Sequence, residues 1–214
     1  MLRAGIVGLP NVGKTTFFNA VTAQSSALIS NYPFASSKAN VGVVAVPDER
    51  LAPLAKLVKT SVIVPASVEF VDIAGLVRGS SKGEGLGNQF LHSIRETDTM
   101  IQVVRCFEDE TVPHVDGSID PRRDVETIQI ELALADLATV ERRRERVQKT
   151  AKSGDKTARA ELEVLDKLQP ALEEFMPARS VTLNDDELVI ARNYFLLTMK
   201  PTISARMNPR AISE

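Results

Sequence analysis

The residues best suited to chemistry lie near the amino terminus, in the stretch Gly8-Leu9-Pro10-Asn11-Val12-Gly13-Lys14-Thr15. This stretch fits the pattern G-x-x-x-x-G-K-[ST] at every defined position, and a loop of this kind holds phosphate groups on its inward-pointing backbone N–H groups. Lys14 is suited to reaching the outer phosphates, where it supports catalysis, and the Thr15 hydroxyl is suited to ligating Mg²⁺. The predicted nucleotide contacts are Asn11, Val12, Gly13, Lys14, Thr15 and Thr16.

A second group of candidate residues is Asp72-Ile73-Ala74-Gly75, which follows an apolar run. The Asp72 carboxylate can hold Mg²⁺, and Gly75 leaves a backbone N–H free to meet a γ-phosphate. We therefore predict Asp72 as a metal residue and Gly75 as a catalytic one. Ser36 has two interpretations: its hydroxyl closes on the metal, or it is an ordinary loop serine.

Short apolar runs that alternate with helical patterns surround these residues. The runs at 2–7, 41–46, 67–73 and 99–107 are typical of strands, and a helix is predicted from Lys14 to about Ala23. This alternation predicts an α/β P-loop NTPase domain of the GTPase-like kind, with a mostly parallel sheet. Cys106 lies in the last run, next to its final residue, which favours a buried core residue over a reactive thiol.

The middle of the chain breaks that alternation. Apolar residues at three- and four-residue steps over 122–176, with "KSGDK" between two stripes, predict an inserted antiparallel helical hairpin. Asn184, with Glu187 three residues later, predicts a capping box that opens a helix to about Met199, and "TIS" then predicts a strand that rejoins the sheet. The predicted division is 1–120 for the first part of the nucleotide-binding domain, 121–178 for the hairpin, and 179–214 for the incomplete return.

The composition is that of an ordinary globular protein. The chain has 214 residues, is 43% hydrophobic, has a formal net charge of −2 and contains one cysteine. The near-zero charge gives no chain-wide reason to expect nucleic acid, and no apolar run approaches a membrane span. We expect a cytoplasmic protein with no membrane partner, since an internal disulfide needs two cysteines and no leader pattern opens the chain.

Several longer motifs resemble those of the YchF/Ola1 family of Obg-related P-loop NTPases. The motifs are "GLPNVGKTT", "NYPF", "NVGVV", "FVDIAGLVRGSSKGEGLGNQFL", "IRETD", "VVRCF", "ELALADL" and "KPT", and the likeness covers residues 2 to about 203. The resemblance implies a Mg²⁺-dependent ATPase that associates with the ribosome and carries a helical hairpin. It also implies a C-terminal TGS domain, which we expect this chain to lack, since the likeness weakens near Ser204.

The resemblance bears on how water would be positioned for hydrolysis. Leu76 follows Asp72-Ile73-Ala74-Gly75 where Ras-like enzymes place a glutamine, so slow turnover is expected. The resemblance implies that a histidine in the loop after the fourth strand positions the attacking water in place of the glutamine. The matching residue here is His114. From its own chemistry alone, His114 is a neutral imidazole in a surface loop.

The sequence leaves nucleotide preference open at the level of residues. No [NT]-K-x-D motif for guanine occurs, and the Asn-x-x-Glu motif that the resemblance implies is not intact, since Asn208 falls one residue late and Ala211 stands where an acid belongs. ATP is expected over GTP on the resemblance. The expected behaviour is a slow nucleotide switch whose loops near 25–40 and 76–90 order around the γ-phosphate. The alternatives are an Obg-like GTPase and a nucleotide-dependent adaptor with incidental turnover.

Residues 142–152 form a basic cluster with five arginines and lysines between 142 and 149. One interpretation is a solvated helix whose charges pair at i,i+4 spacing. The other is contact with the phosphates of ribosomal RNA, which would weaken steeply as salt rises.

Overall fold

A computed structural model of the chain describes residues 1–23, 40–73, 75, 76, 79 and 86–208. The strands are β1 (Leu2–Val7), β2 (Asn40–Ala45), β3 (Ser67–Asp72), β4 (Thr99–Arg105) and β5 (Thr202–Met207). The α-helices are α1 (Lys14–Ala23), α2 (Leu51–Leu57), α3 (Leu86–Arg95), α4 (Pro121–Lys152), α5 (Lys156–Glu173) and α6 (Asp185–Arg192). Short 3-10 turns cover Ala178–Ser180 and Leu197–Met199.

The five strands form one sheet in the order β2-β3-β1-β4-β5. β1 lies in the middle and pairs parallel with β3 and β4, and β5 pairs parallel with β4. β2 is the exception, because it runs antiparallel to β3 with Val41 opposite Val71. The sheet is therefore mostly parallel, as predicted.

The parallel strands place the candidate residues at one edge. The loop that begins with Gly8 leaves the carboxyl end of β1, and Ile73 leaves the carboxyl end of β3. Asn208 leaves β5 at the same edge. Ligands of open α/β sheets bind outside these carboxyl ends, so the topology puts the predicted nucleotide site where the fold class favours it.

Two hydrophobic cores share helix α4. The first core packs against the sheet and includes Ile128 and Leu132 from the first half of α4. The second core lies between the hairpin helices and α6 and includes Val140 and Val147 from the second half of α4. A single helix of 32 residues thus crosses from the sheet to the hairpin.

Local capping explains where the hairpin helices begin. The Asp120 carboxylate accepts hydrogen bonds from the backbone N–H groups of Arg122 and Arg123, and Pro121 occupies the first turn of α4. Asp155 caps α5 through the N–H of Ala158. The turn between the helices contains Gly154 at φ +97°, a conformation that glycine adopts without strain.

The predicted helix from Asn184 to about Met199 is wrong at its end. The capping box is present, but α6 ends at Arg192 and Phe195 has φ +51°. The N–H groups of Leu197 and Thr198 donate to the Asp136 carboxylate, at 2.8 and 2.7 Å. These N–H groups therefore do not bond within a continued α6, although the residue pattern up to Met199 is typical of a helix.

The predicted burial of Cys106 is also wrong, since the residue is exposed. Arg105 takes the last buried position of the strand and is only 1% exposed. Its guanidinium donates to the carbonyl oxygens of Phe107, Asp109 and Val112. Arg105 therefore shapes the loop that leads towards His114.

Candidate functional site

The loop between β1 and α1 is tightly folded and presents its backbone N–H groups at the start of a helix. Asn11 has φ +61° and Gly13 has φ +95°, so the chain turns sharply before α1 begins at Lys14. A Cβ atom on Gly8 would lie 2.6 Å from the carbonyl oxygen of Val103, which shows how closely the loop approaches β4. The N-terminus of α1 carries a partial positive charge, so this loop favours an anionic ligand.

The Lys14 side chain lies along this loop. The residue is 9% exposed, and its Nζ donates to the Leu9 carbonyl oxygen at 2.8 Å. Burial lowers the pKa of Lys14 from its ordinary value, and the nearby Asp72 carboxylate opposes that shift. An anion in the loop would favour the charged form of the amine in the same way as Asp72.

Thr15 and Asp72, the two predicted metal residues within the described part, are in direct contact. The Thr15 hydroxyl donates to Asp72 Oδ2 at 2.8 Å. The pair thus offers two hard oxygen ligands, the type that Mg²⁺ prefers. Ser36, the third predicted metal residue, lies outside the described residues. Val12 is buried and packs in the first core, whereas Thr16 is exposed.

Gly75 lies close to the loop from Gly8 to Thr15, which is called the phosphate loop below. A Cβ atom there would lie 3.0 Å from the Pro10 nitrogen and 3.2 Å from Lys14 Nζ. Leu76 is fully buried, and its N–H donates to the Gly8 carbonyl oxygen at 3.1 Å. Any larger residue at position 75 would have to displace Pro10 or Lys14, and the Leu76 side chain belongs to the core.

His114 does not face the phosphate loop with a free ring nitrogen. Its Nε2 lies 2.9 Å from Asp124 Oδ2, and its Nδ1 accepts from the Asp116 N–H at 3.1 Å. Its loop does contact the phosphate loop, because Asn11 Nδ2 donates to the Pro113 carbonyl oxygen at 3.2 Å. Lys14, Thr15, Asp72 and Gly75 thus come together, whereas the His114 ring is held by α4.

His114, Asp116 and Asp124 could in principle hold a metal ion, since one ligand atom of each lies within 4.8 Å of the others. Arg123 already lies beside both carboxylates, with Nε 3.5 Å from Asp116 and Nη2 3.3 Å from Asp124. Its positive charge disfavours a cation at this place, so the cluster is better described as an ion-pair network.

Sequence reasoning missed Asp124 and Arg105. Asp124 has a signal that could have found it, since it is an acid four residues after the capping Asp120 and ten residues after a candidate histidine. Arg105 has none, because an arginine that ends an apolar strand is ordinarily exposed.

The basic cluster lies on the second half of α4 and is partly neutralised. Arg143 pairs with Glu161 of α5 at 2.5 Å, and Arg144 pairs with Asp166 at 2.7 Å. Arg142 and Arg146 are exposed, and no acidic partner lies within ion-pair distance of either among the described residues. They line a cavity of about 270 Å³ together with Thr139, Arg143, Asn193 and Tyr194.

In the part of the chain that the structure describes, no helix is both long and apolar enough to cross a membrane.

Three of the matches to known proteins agree with one another. The chain is 55% identical over 201 residues to the ribosome-binding ATPase YchF of Haemophilus ducreyi, covering 94% of this chain and 55% of that protein. It is 52% identical over 202 residues to the Bacillus subtilis protein of the same name, with the same coverage. A solved structure of the Schizosaccharomyces pombe YchF GTPase matches with a TM-score of 0.77 at 40% identity, covering 98% of this chain and 57% of that one.

The coverage of these matches and a match to a family model complete the comparison. The chain spans about half the length of the curated relatives it matches. The family described as 50S ribosome-binding GTPase matches residues 3–135, which include the phosphate loop, Asp72, Gly75 and His114. The chain therefore belongs to the family of 50S ribosome-binding GTPases, and its likeness to the YchF proteins of that family extends over nearly all of its length.

Proposed function

We propose that the protein is a Mg²⁺-dependent nucleoside triphosphatase that prefers ATP to GTP and acts as a slow nucleotide switch on the ribosome. The observation that carries this proposal is the convergence of Lys14, the Thr15–Asp72 pair and Gly75 on one loop at the carboxyl edge of the sheet. Positive charge, hard oxygen ligands and backbone N–H groups are the parts that phosphoryl transfer requires.

The residues present fit a metal-bound polyphosphate. The space around Gly75 excludes even a methyl group without displacement of its neighbours, as expected where a backbone N–H must reach a phosphate. Thr15 and Asp72 would hold Mg²⁺, with Ser36 as a third candidate. When bound, Mg²⁺ neutralises charge that develops on the phosphate oxygens.

Lys14 has the main binding role in this proposal. Its Nζ donates to the Leu9 carbonyl oxygen, a neutral acceptor, and phosphate oxygens are stronger acceptors for a charged amine. The N–H groups of Gly13, Lys14 and Thr15 lie at the start of α1, where they can donate hydrogen bonds to the phosphates.

Water positioning is assigned to His114. Leu76 is apolar and buried, so it cannot orient a water molecule as a glutamine does. An imidazole accepts or donates a proton near neutral pH, which suits this role once a ring nitrogen is free. Turnover is then slow, because the ring must first leave Asp124.

The base preference is proposed from the position of Asn208 and from the names of the relatives. Asn208 follows β5, and Met207 before it packs near Gly13 of the phosphate loop, so Asn208 lies at the same edge as the predicted nucleotide. An asparagine amide can pair with adenine, and the bacterial relatives are named ATPases. Ala211 and Glu214 lie outside the described residues.

The decisive experiment titrates ATP and GTP separately, with magnesium, against the purified chain by calorimetry. We expect measurable affinity for a triphosphate, tighter for ATP. K14A removes a charge-assisted contact and should weaken binding by about 100-fold, whereas the exposed K56A of α2 should leave binding unchanged. No affinity for either nucleotide would refute the proposal, and tighter GTP binding would refute the ATP preference.

Hydrolysis is tested with the two histidines. H114A should abolish phosphate release and leave nucleotide affinity unchanged, because His114 is assigned to the water and not to the phosphates. H92A is the matched control, since His92 lies on α3 with a side chain that is 71% exposed. Normal turnover by H114A would remove His114 from the proposed mechanism.

Ribosome association is proposed from the printed names of the relatives, with RNA contact through residues 142–152. Arg142 and Arg146 are the best candidates, because they are exposed and their neighbours Arg143 and Arg144 are paired. Each phosphate contact adds about 0.9 to the slope of log affinity against log salt, so R142Q/R146Q should lower that slope by about 2 with purified ribosomes. The control R122Q, at the opposite end of α4, should keep the slope. An unchanged slope in the double variant would favour the solvated-helix interpretation.

A further inference from the structure

Both nitrogens of the His114 ring have hydrogen-bond partners, one in its own loop and one in α4. Asp124 Oδ2 lies 2.9 Å from Nε2, and an ionised carboxylate only accepts hydrogen bonds, so Nε2 carries a proton. Nδ1 accepts from the Asp116 N–H at 3.1 Å, so Nδ1 carries none. The geometry therefore defines one neutral tautomer, Nε2–H.

This contact is enclosed. The side chains of His114 and Asp124 are each only 3% exposed, so neither ring nitrogen can meet a water molecule beside a phosphate. Arg123 helps to fix the position of the Asp124 carboxylate. Its Nη2 lies 3.3 Å from Asp124 Oδ1 and also donates to the Ser118 carbonyl oxygen. A charge-assisted hydrogen bond in such surroundings must be broken before His114 can act elsewhere.

The same loop contacts the predicted nucleotide site. Asn11 Nδ2 donates to the carbonyl oxygen of Pro113, the residue directly before His114. Asn11 is exposed and has φ +61°, so its position depends on the conformation of the phosphate loop. A phosphate that repositions Asn11 would therefore act directly on the segment that carries His114.

We propose that Asp124 is a positioning residue that holds the His114 imidazole, as the Nε2–H tautomer, away from the nucleotide until the phosphate loop is filled. The proposal rests on the role of His114 in the proposed function. Asp124 acts through His114 and touches no reacting atom. Its removal should make His114 available more often and raise the basal rate.

The tautomer can be tested without any measurement of activity. The chain has two histidines, so a protein labelled with ¹⁵N only in histidine gives two sets of ring signals, which H92Q assigns. The His114 set should report a protonated Nε2 and an unprotonated Nδ1 in the nucleotide-free protein. Magnesium with adenylyl imidodiphosphate, a non-hydrolysable triphosphate, should shift this set away from that pattern. A tautomer-averaged ring in the free protein, or a His114 signal that ignores the triphosphate, would overturn the proposal.

The kinetic test compares D124A with the wild-type chain. Loss of the restraint should raise kcat by about tenfold, equivalent to about 1.4 kcal/mol, while KM changes by less than twofold. E126Q is the control, because Glu126 is an exposed acid two residues from Asp124 on α4, and among the described residues its ion pair is with Arg122. A residue needed merely for folding would not raise kcat. A rate for D124A equal to or below that of the wild-type chain would overturn the proposal.

Two further variants separate this proposal from the proposed function. H114A/D124A should be as slow as H114A, because the gain depends on the imidazole. If H114A is inactive but D124A gives no gain, the positioning role is wrong and the proposed function stands. If H114A turns over normally, the assignment of His114 in the proposed function is wrong. Where D124A does not fold, the isosteric D124N should give a smaller gain, and the wild-type spectrum still decides the tautomer.

Discussion

Asp136 of α4 offers the most quantitative test of how the hairpin is joined to the sheet. Its carboxylate accepts three hydrogen bonds, from the N–H of Leu197 at 2.8 Å and from the N–H and hydroxyl of Thr198 at 2.7 Å each. The Thr198 hydroxyl also accepts from the Ala178 N–H at 2.9 Å. Asp136, Leu197 and Thr198 are all at least 98% buried, so water does not replace a lost partner without rearrangement.

The expected cost of D136A follows from these contacts. The backbone N–H groups of Leu197 and Thr198 are fixed by the chain and would lose their acceptor, and each unsatisfied buried donor costs about 1–3 kcal/mol. Burial raises the pKa of Asp136, and the three hydrogen bonds oppose that shift, so removal of the acid also recovers part of a desolvation cost. We expect a net loss of about 3 kcal/mol in the free energy of unfolding.

Urea unfolding followed by circular dichroism measures this loss. With a slope of about 2 kcal/mol per molar urea, the midpoint should fall by about 1.5 M. D166A is the matched control, because Asp166 is half-exposed and its ion pair with Arg144 should contribute less than about 1 kcal/mol. If D136A is no less stable than D166A, the reasoning about buried donors is wrong.

Two other predictions concern a glycine and a helix cap. G75A should weaken triphosphate binding by on the order of tenfold, about 1.4 kcal/mol, because its methyl group would lie against Lys14 Nζ and Pro10, and unchanged affinity in the calorimetric titration would contradict this. N184A should lower the free energy of unfolding by about 1 kcal/mol, because the Asn184 side chain accepts from the Glu187 N–H at 2.9 Å, and an unchanged urea midpoint would show that the cap is dispensable.

The features that could be predicted from sequence are those set by local chemistry. The phosphate loop, the acid at the end of β3 and the capping box at Asn184 depend on residues a few positions apart, and the structure contains all three. The hairpin was also predictable, since its apolar stripes and charged faces alternate along two helices. The division of the chain at 121 and 178 stays a prediction.

The features that could not be predicted depend on distant partners. The predicted helix to about Met199 stops at Arg192, and the N–H groups of Leu197 and Thr198 donate instead to Asp136, about sixty residues earlier. The antiparallel direction of β2 depends on its pairing with β3, which an apolar run does not encode. The orientation of the His114 ring likewise depends on Asp124 in the next helix.

Helix α4 has a mechanical consequence. It runs unbroken for 32 residues, about 48 Å at 1.5 Å per residue. Near its start, Asp124 contacts the His114 ring. Further along α4, the Glu131 carboxylate accepts a hydrogen bond from the Gly79 N–H at 2.6 Å, four residues after Gly75 in the sequence. A tilt of about 5° there would swing the far end of a rod this long by about 4 Å. A small change of angle at the His114 loop would therefore become a displacement of several ångströms at the end of α4 that carries the arginines.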